Sequence, residues 1–225
     1  MSGMSDFDLN FKAAIFDLDG TLIDSMGVWE KIDIDFLSKR GLSVPETYID
    51  EVCARTFQEA AEYTIDLFHL EERAEDLIRE WNDMAIYEYS HNVGLKPYAK
   101  EYLALLRSYE IKIGTATSLP SVLSEPVLRN NKVYECFDIQ CSSEEVNRGK
   151  EFPDVFILAS KKLKVPPEQC IVFEDLLPGI ISAKKAGMRA YCMYDEYSKK
   201  QRTEIEKIAD GYLYDFKNAP IPIQK

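Results

Sequence analysis

The chain is short of positive charge and of histidine. Its 225 residues include 27 Lys or Arg against 39 Asp or Glu, a net charge of −12. A surface of that sign repels a phosphodiester backbone, so nucleic acid is not an expected partner. A small phosphate ester remains admissible where local cations offset the field. The two histidines, His69 and His91, poorly supply a histidine-based phosphatase or a Ser-His-Asp hydrolase. Both read as surface or packing residues. Cysteine occurs five times, an odd number without a Cys-x-x-Cys pair. Cys53, Cys136, Cys141, Cys170 and Cys192 read as reduced thiols of a cytosolic protein, not as metal ligands. No apolar run is long enough to span a bilayer, and the opening residues are acidic and polar with no apolar signal region. No membrane association and a cytoplasmic location are therefore expected, with a monomer as the default. No repeat or low-complexity segment stands out.

What is present is a series of short apolar runs separated by helical patterns, in a chain that is 46% apolar. Ala13–Phe16, Lys112–Ala116, the weaker Phe137–Cys141, Cys170–Phe173, Ala190–Met193 and Tyr212–Tyr214 read as strands. Ala99–Ser108, Pro153–Leu163 and Pro178–Ala186 read as helices, the second opening on Pro and the third stopping at Gly187. This alternation predicts an α/β fold with a Rossmann-like, doubly wound parallel sheet. Residues 26–96 break it. Val28–Arg40, Phe57–Leu70 and Glu72–Ser90 look helical, with Trp81, Met84, Ala85 and Tyr87 on one face of the last. We expect an all-α insert over residues 26–96 and a core built from residues 11–25 and 97–225. An insert after a strand end lies over the ligand crevice of an open α/β sheet.

Four places carry chemistry. Asp17-Leu18-Asp19-Gly20-Thr21 follows the first apolar run, and Gly20 permits a sharp turn. Carboxylates at i and i+2 past a strand end can face one crevice, offering a nucleophile and a proton-transfer group with room for a cation. A turn with a helix cap is the plainer use of the same residues. Thr117 and Ser118 end the second strand, where a hydroxyl and free amides can hold a phosphate oxygen or simply shape a turn. Lys150 stands just before the helix that opens on Pro153; it can neutralise a carboxylate and a phosphate, or be a solvated surface lysine. Glu174 and Asp175 follow the strand Cys170–Phe173. They can hold Mg²⁺, which takes one or two protein carboxylates plus substrate phosphate, or merely suit a helix N-terminus.

The order Asp-x-Asp-Gly-Thr, Thr, Lys, Glu-Asp, each near a strand end, resembles the four motifs of the haloacid dehalogenase-like superfamily in its phosphatase form. The resemblance covers essentially the whole chain and is most specific over Asp17–Ser25, Gly149–Phe156 and Phe173–Gly187. The insert's position resembles the subgroup with a helical cap between the first and second motifs, which includes phosphoglycolate phosphatases, sugar-phosphate phosphatases and β-phosphoglucomutase. The resemblance implies Mg²⁺-dependent hydrolysis of a small phosphate monoester through an aspartyl-phosphate. Asp17 would be the nucleophile and Asp19 the general acid, then base. Thr117 and the Ser118 amide would bind the phosphoryl group and Lys150 would balance charge. Asp17, the Asp19 carbonyl, Asp175 and Glu174 would surround the metal.

Asp19 separates this chain from the dehalogenases, which lack an acid there. The mutase pattern places a His twelve residues after the nucleophile, and here that residue is Trp29. Trp29 can stack on a substrate or pack the base of the insert. Arg55 can bind a substrate anion or lie on the surface. Cys53–Phe57 lacks the glycine usual in the cap loop, Glu151 replaces the usual Pro after Lys150, and Leu176–Leu177 replace smaller or polar residues. A sugar-phosphate mutase and a non-catalytic binding module are the alternatives to a phosphatase.

Overall fold

A computed structural model describes residues 10–53 and 55–222. The acidic opening segment and the Cys53 side chain lie outside what it describes. The elements run β1 (Ala13–Phe16), α1 (Val28–Ser38), α2 (Tyr48–Cys53), α3 (Phe57–Phe68), α4 (Ala74–His91), α5 (Ala99–Ser108), β2 (Lys112–Thr115), α6 (Ser121–Asn130), α7 (Asp154–Leu163), β3 (Cys170–Glu174), α8 (Leu177–Lys185), β4 (Arg189–Met193), α9 (Arg202–Ile205) and β5 (Gly211–Leu213). They fall into two compact units: Met26–Val93, and the chain on either side of it.

The larger unit holds a parallel five-stranded sheet in the order β2-β1-β3-β4-β5. β1 lies between β2 and β3, and all four of its residues are buried. A strand covered on both faces must be apolar throughout, which is why it shows as a continuous run and not as alternation. Its residues still divide between two faces. Ala13 and Ile15 join Cys170, Val172, Ala190 and Cys192 under Val155, Phe156 and Ala159 of α7 and Ile180 and Ala183 of α8. On the other face Phe16 stacks on Phe173, with ring centroids 4.8 Å apart, and both meet Tyr102 of α5 and Phe216. Helices therefore cover both sides of the sheet.

The segment Phe137–Cys141 is not a strand. It makes an isolated bridge, Ile139 with Gly114, along the free edge of β2, and Ser142 just past it bridges Thr117. The Asp138 carboxylate accepts the Ile113 amide at 2.8 Å and pairs with Lys112 and Arg107. A side chain that takes a backbone donor interrupts the ladder it would otherwise join. Gly114 lets Ile139 lie close, since a Cβ there would meet the Ile139 side chain at 2.6 Å.

The smaller unit is entirely helical among its described residues. α3 starts at a capping box: Thr56 Oγ1 accepts the Glu59 amide and Glu59 accepts the Thr56 amide. Trp81 of α4 packs against Phe36 of α1 and Phe57 of α3. The buried face of α4 is Leu77, Trp81, Ala85, Glu88 and Tyr89. Tyr87, expected on that face, is 58% exposed and stacks on His91. Six positions from Trp81, at 3.6 residues per turn, turn it about 120° away from that face.

Candidate active site

The register of the sheet sets the site. Phe16 pairs with both Thr115 and Phe173, so Asp17 comes level with Ala116 on one side and Glu174 on the other. The Asp17 amide still donates to the Phe173 carbonyl at 3.0 Å, which holds the first residue past β1 as firmly as the strand itself. The chain then turns at Gly20, with φ +72°. The amides of Thr21, Leu22 and Ile23 all donate to the Leu18 carbonyl. This closed turn brings Thr21 back under Asp17.

Asp17, Glu174 and Asp175 are each at most 5% exposed, and one oxygen from each lies within 4.8 Å of the others. Lys150 answers them. Its ammonium bonds to Asp17 Oδ1 and lies 2.6 Å from Glu174 Oε2. Thr21 Oγ1 reaches Asp17 Oδ2 at 3.0 Å and Asp175 Oδ1 at 3.2 Å. Glu174 Oε1 accepts the amides of Asp175 and Leu176, each at 3.2 Å. The opening of α8 makes room for it. A Cβ on Gly179 would sit 2.3 Å from the Glu174 carboxyl carbon.

Three acids against one lysine leave negative charge in excess, and burial magnifies it. Burial pushes Asp17 up to about 7; Lys150 opposes that rise and Glu174 adds to it. Burial pushes Asp175 up to about 9, with Glu174 and Asp17 adding to the rise. Burial alone would depress the Lys150 ammonium, but Asp17 and then Glu174 outweigh it and hold its pKa above the ordinary lysine value. Asp175 Oδ2 is buried with no hydrogen-bond partner among the described residues. A buried carboxylate oxygen without a donor, in an all-oxygen set carrying surplus charge, is what a hard divalent cation of the Mg²⁺ kind satisfies. The residues present fit such an ion.

Asp19 stands apart from that trio. Its Oδ1 accepts the Ser25 hydroxyl at 2.5 Å, and Ser25 is 2% exposed. Thr117 is buried, and its Oγ1 accepts the Leu119 amide at 3.0 Å, shaping the turn that leads into α6. Ser118 is exposed. Trp29 and Arg55 belong to the helical unit and line one pocket there. Arg55 pairs with Glu51 at 2.7 Å and covers the Tyr63 ring. Thr21 and Ser25 were not among the site residues expected from sequence. Their signal lies in spacing: a hydroxyl four residues after the first Asp and another six after the second, with Gly20 bending the chain between.

A family model described as haloacid dehalogenase-like hydrolase matches residues 14–193. The chain is 27% identical to hexitol phosphatase B of Escherichia coli over 183 residues, 79% of this chain and 81% of that one. It is 29% identical to validoxylamine A 7′-phosphate phosphatase of Streptomyces hygroscopicus over 178 residues, covering 79% and 83% of the two chains. The crystal structure of CbbY from Rhodobacter sphaeroides with phosphate superposes with a TM-score of 0.73 at 24% identity, over 92% of this chain and 96% of that one. The family model spans strands β1 to β4, with all the polar groups gathered around Asp17 inside its limits, and on that match the chain belongs to the haloacid dehalogenase-like hydrolases.

Proposed function

We propose that the chain hydrolyses a small phosphate monoester through a phosphoryl group carried on Asp17. The observation that carries this reading is the different setting of two acids two residues apart. Asp17 is buried against Lys150 and Thr21, while Asp19 is held outside the acidic trio by Ser25. In the first step an Asp17 oxygen bonds to phosphorus, the ester P–O bond breaks, and Asp19 protonates the leaving oxygen. In the second, water bonds to phosphorus, Asp19 takes its proton, and phosphate leaves with Asp17 restored. Lys150 stays with Asp17 throughout and offsets the negative charge that meets there. Thr117 and the Ser118 amide would orient the phosphoryl oxygens.

Asp17, Asp175, the Asp19 carbonyl and, directly or through water, Glu174 would hold Mg²⁺. When bound it supplies electrostatic stabilisation to the transferring phosphoryl group. Phosphatases among the relatives support this reaction class, and uncatalysed monoester hydrolysis is slow enough that catalysis must remove on the order of 20 kcal/mol. The free thiols of Cys136, Cys141, Cys170 and Cys192 support a reducing, cytoplasmic setting. Among the described residues no helix is long and apolar enough to cross a membrane.

The test is p-nitrophenyl phosphate turnover with and without Mg²⁺, in the wild type and in Asp17→Asn. Mg²⁺-dependent turnover that the substitution abolishes is expected. Equal turnover by both proteins would remove Asp17 from its role.

A further inference from the structure

Leu22–Ser25 and Gly94–Lys96 are far apart in sequence and paired in the larger unit. Ile23 bridges Leu95 antiparallel. The Asp24 amide donates to the Gly94 carbonyl and the Lys96 amide to the Leu22 carbonyl, each at 2.9 Å. Lys96 precedes Pro97, and a residue before proline is held to extended backbone, which suits it to close such a ladder. The ladder reaches Asp19 twice. Ile23 also bridges Asp19, and Ser25, the residue after Asp24, donates its hydroxyl to Asp19 Oδ1 at 2.5 Å. The first segment of the larger unit ends at Ser25 and the second begins at Gly94. The ladder therefore stands where the chain leaves that unit and returns to it.

A two-stranded ladder is marginal by itself. This one is tied to the sheet by charge. Lys96 Nζ lies 2.7 Å from Asp195 Oδ2, with the two side chains 11% and 3% exposed. Asp195 stands just past β4 and is itself fixed. Its Oδ1 accepts the Tyr197 amide at 2.9 Å, and its carbonyl accepts the hydroxyl of buried Ser198 at 3.3 Å. Tyr194, before it, donates its amide to the Leu213 carbonyl of β5 at 2.7 Å. The ammonium has an alternative on the ladder: Asp24 is 3.4 Å away and 71% exposed, and a pair made there alone would stay in water. Burying a lysine costs hydration, and a buried ion pair adds little stability over apolar packing; its best-attested use is to fix register.

We propose that Lys96, anchored on Asp195, is a positioning residue for Asp19. The pair fixes the ladder, the ladder fixes Ile23 and Ser25, and these two hold the Asp19 backbone and carboxylate in one direction. That this direction serves a leaving oxygen rests on the hydrolase reading above; the anchoring itself does not.

Two esters of different leaving group read the position of Asp19. A phenolate needs a proton as it leaves, and a p-nitrophenolate needs far less help. Wild type is compared with Lys96→Met and with Lys96→Met/Asp195→Asn, each in the full chain. The double variant strands no buried charge, keeps an acceptor for the Tyr197 amide, and serves if the single variant melts early. In either variant kcat/KM for phenyl phosphate should fall about tenfold, and for p-nitrophenyl phosphate less than about threefold. Equal falls on both esters, or a fall on neither, would overturn the proposal. Hydrogen exchange reads the ladder without substrate. The Asp24 and Lys96 amides should exchange about tenfold faster in the double variant while those of β1 keep their rates. Unchanged exchange at both amides would also overturn the proposal. Faster exchange in a chain whose wild type hydrolyses neither ester would remove the hydrolase reading and leave the anchoring. Wild-type turnover with unchanged exchange and no gap between the esters does the reverse.

Discussion

Lys150 Nζ lies 2.6 Å from Glu174 Oε2 across the end of the sheet, joining the loop before α7 to the last residue of β3. The same ammonium bonds to Asp17, so one cation holds two buried acids. Removing one partner of a buried ion pair leaves uncompensated charge, at a cost of about 3–5 kcal/mol. Lys150→Met should therefore lower stability by about 3 kcal/mol at pH 8 and abolish turnover. Denaturant melts should show the loss shrinking toward pH 5, where Asp17 and Asp175 take up protons instead. A loss that stays constant with pH would mean that Lys150 acts by packing alone.

The acidic trio predicts how Mg²⁺ stabilisation depends on pH. Asp17 and Asp175 have folded pKa values of about 7 and about 9, against an ordinary 3.8. A raised carboxyl contributes stability that is complete below the unfolded value and is lost as pH rises through the folded value. The metal-free protein should thus weaken as pH climbs from 4 through 9. Mg²⁺ binds the deprotonated acids, so its shift in melting temperature should be larger at pH 8.5 than at pH 6. An equal shift at both would place the ion elsewhere.

Ser25 holds Asp19 at 2.5 Å and is itself buried. Hydrogen bonds to charged groups are worth about 1.5–3 kcal/mol, enough to fix the carboxylate's direction. In Ser25→Ala, kcat/KM for an alkyl phosphate, whose leaving oxygen needs a proton, should fall about tenfold. For p-nitrophenyl phosphate, whose leaving group needs none, the fall should be less than about threefold. Equal losses on both esters would give Ser25 a structural role only.

Asp33 gives the helical unit a pH dependence of its own. Burial raises its carboxyl to about 7, so the same sign applies: its contribution is full below about pH 4 and disappears as pH passes 7. Asp33→Asn cannot ionise. Its melting temperature relative to the wild type should rise steadily between pH 4 and pH 8, and a flat difference would contradict the burial of that carboxyl.

The sheet was legible because its central strands, β1 and β3, are buried on both faces. Ala13–Phe16 and Cys170–Phe173 show as uninterrupted apolar runs, and the runs end where the polar residues of the site begin. Phe137–Cys141 misled because composition does not reveal that Asp138 takes the Ile113 amide for itself. α2 was invisible because its six residues carry too little periodicity. α6 was masked by Pro126 within it, a residue that ordinarily argues against a helix. In the site, acids and lysine announced themselves by type and order. Thr21 and Ser25 did not, because a hydroxyl is common in any turn and only the closed loop around Leu18 shows which carboxylates they reach. The pocket of Trp29, Asp33 and Trp81 joins positions from two helices and the residue types alone carry no trace of it.

The phosphoryl group's covalent home is the central claim, and a crystal structure grown with Mg²⁺ and beryllium fluoride tests it most directly. A trifluoroberyllate bonded to an Asp17 oxygen, with a cation coordinated by Asp175, is the predicted result. Density for neither adduct nor cation at Asp17, in crystals of a protein that turns over phosphate esters, would contradict the account.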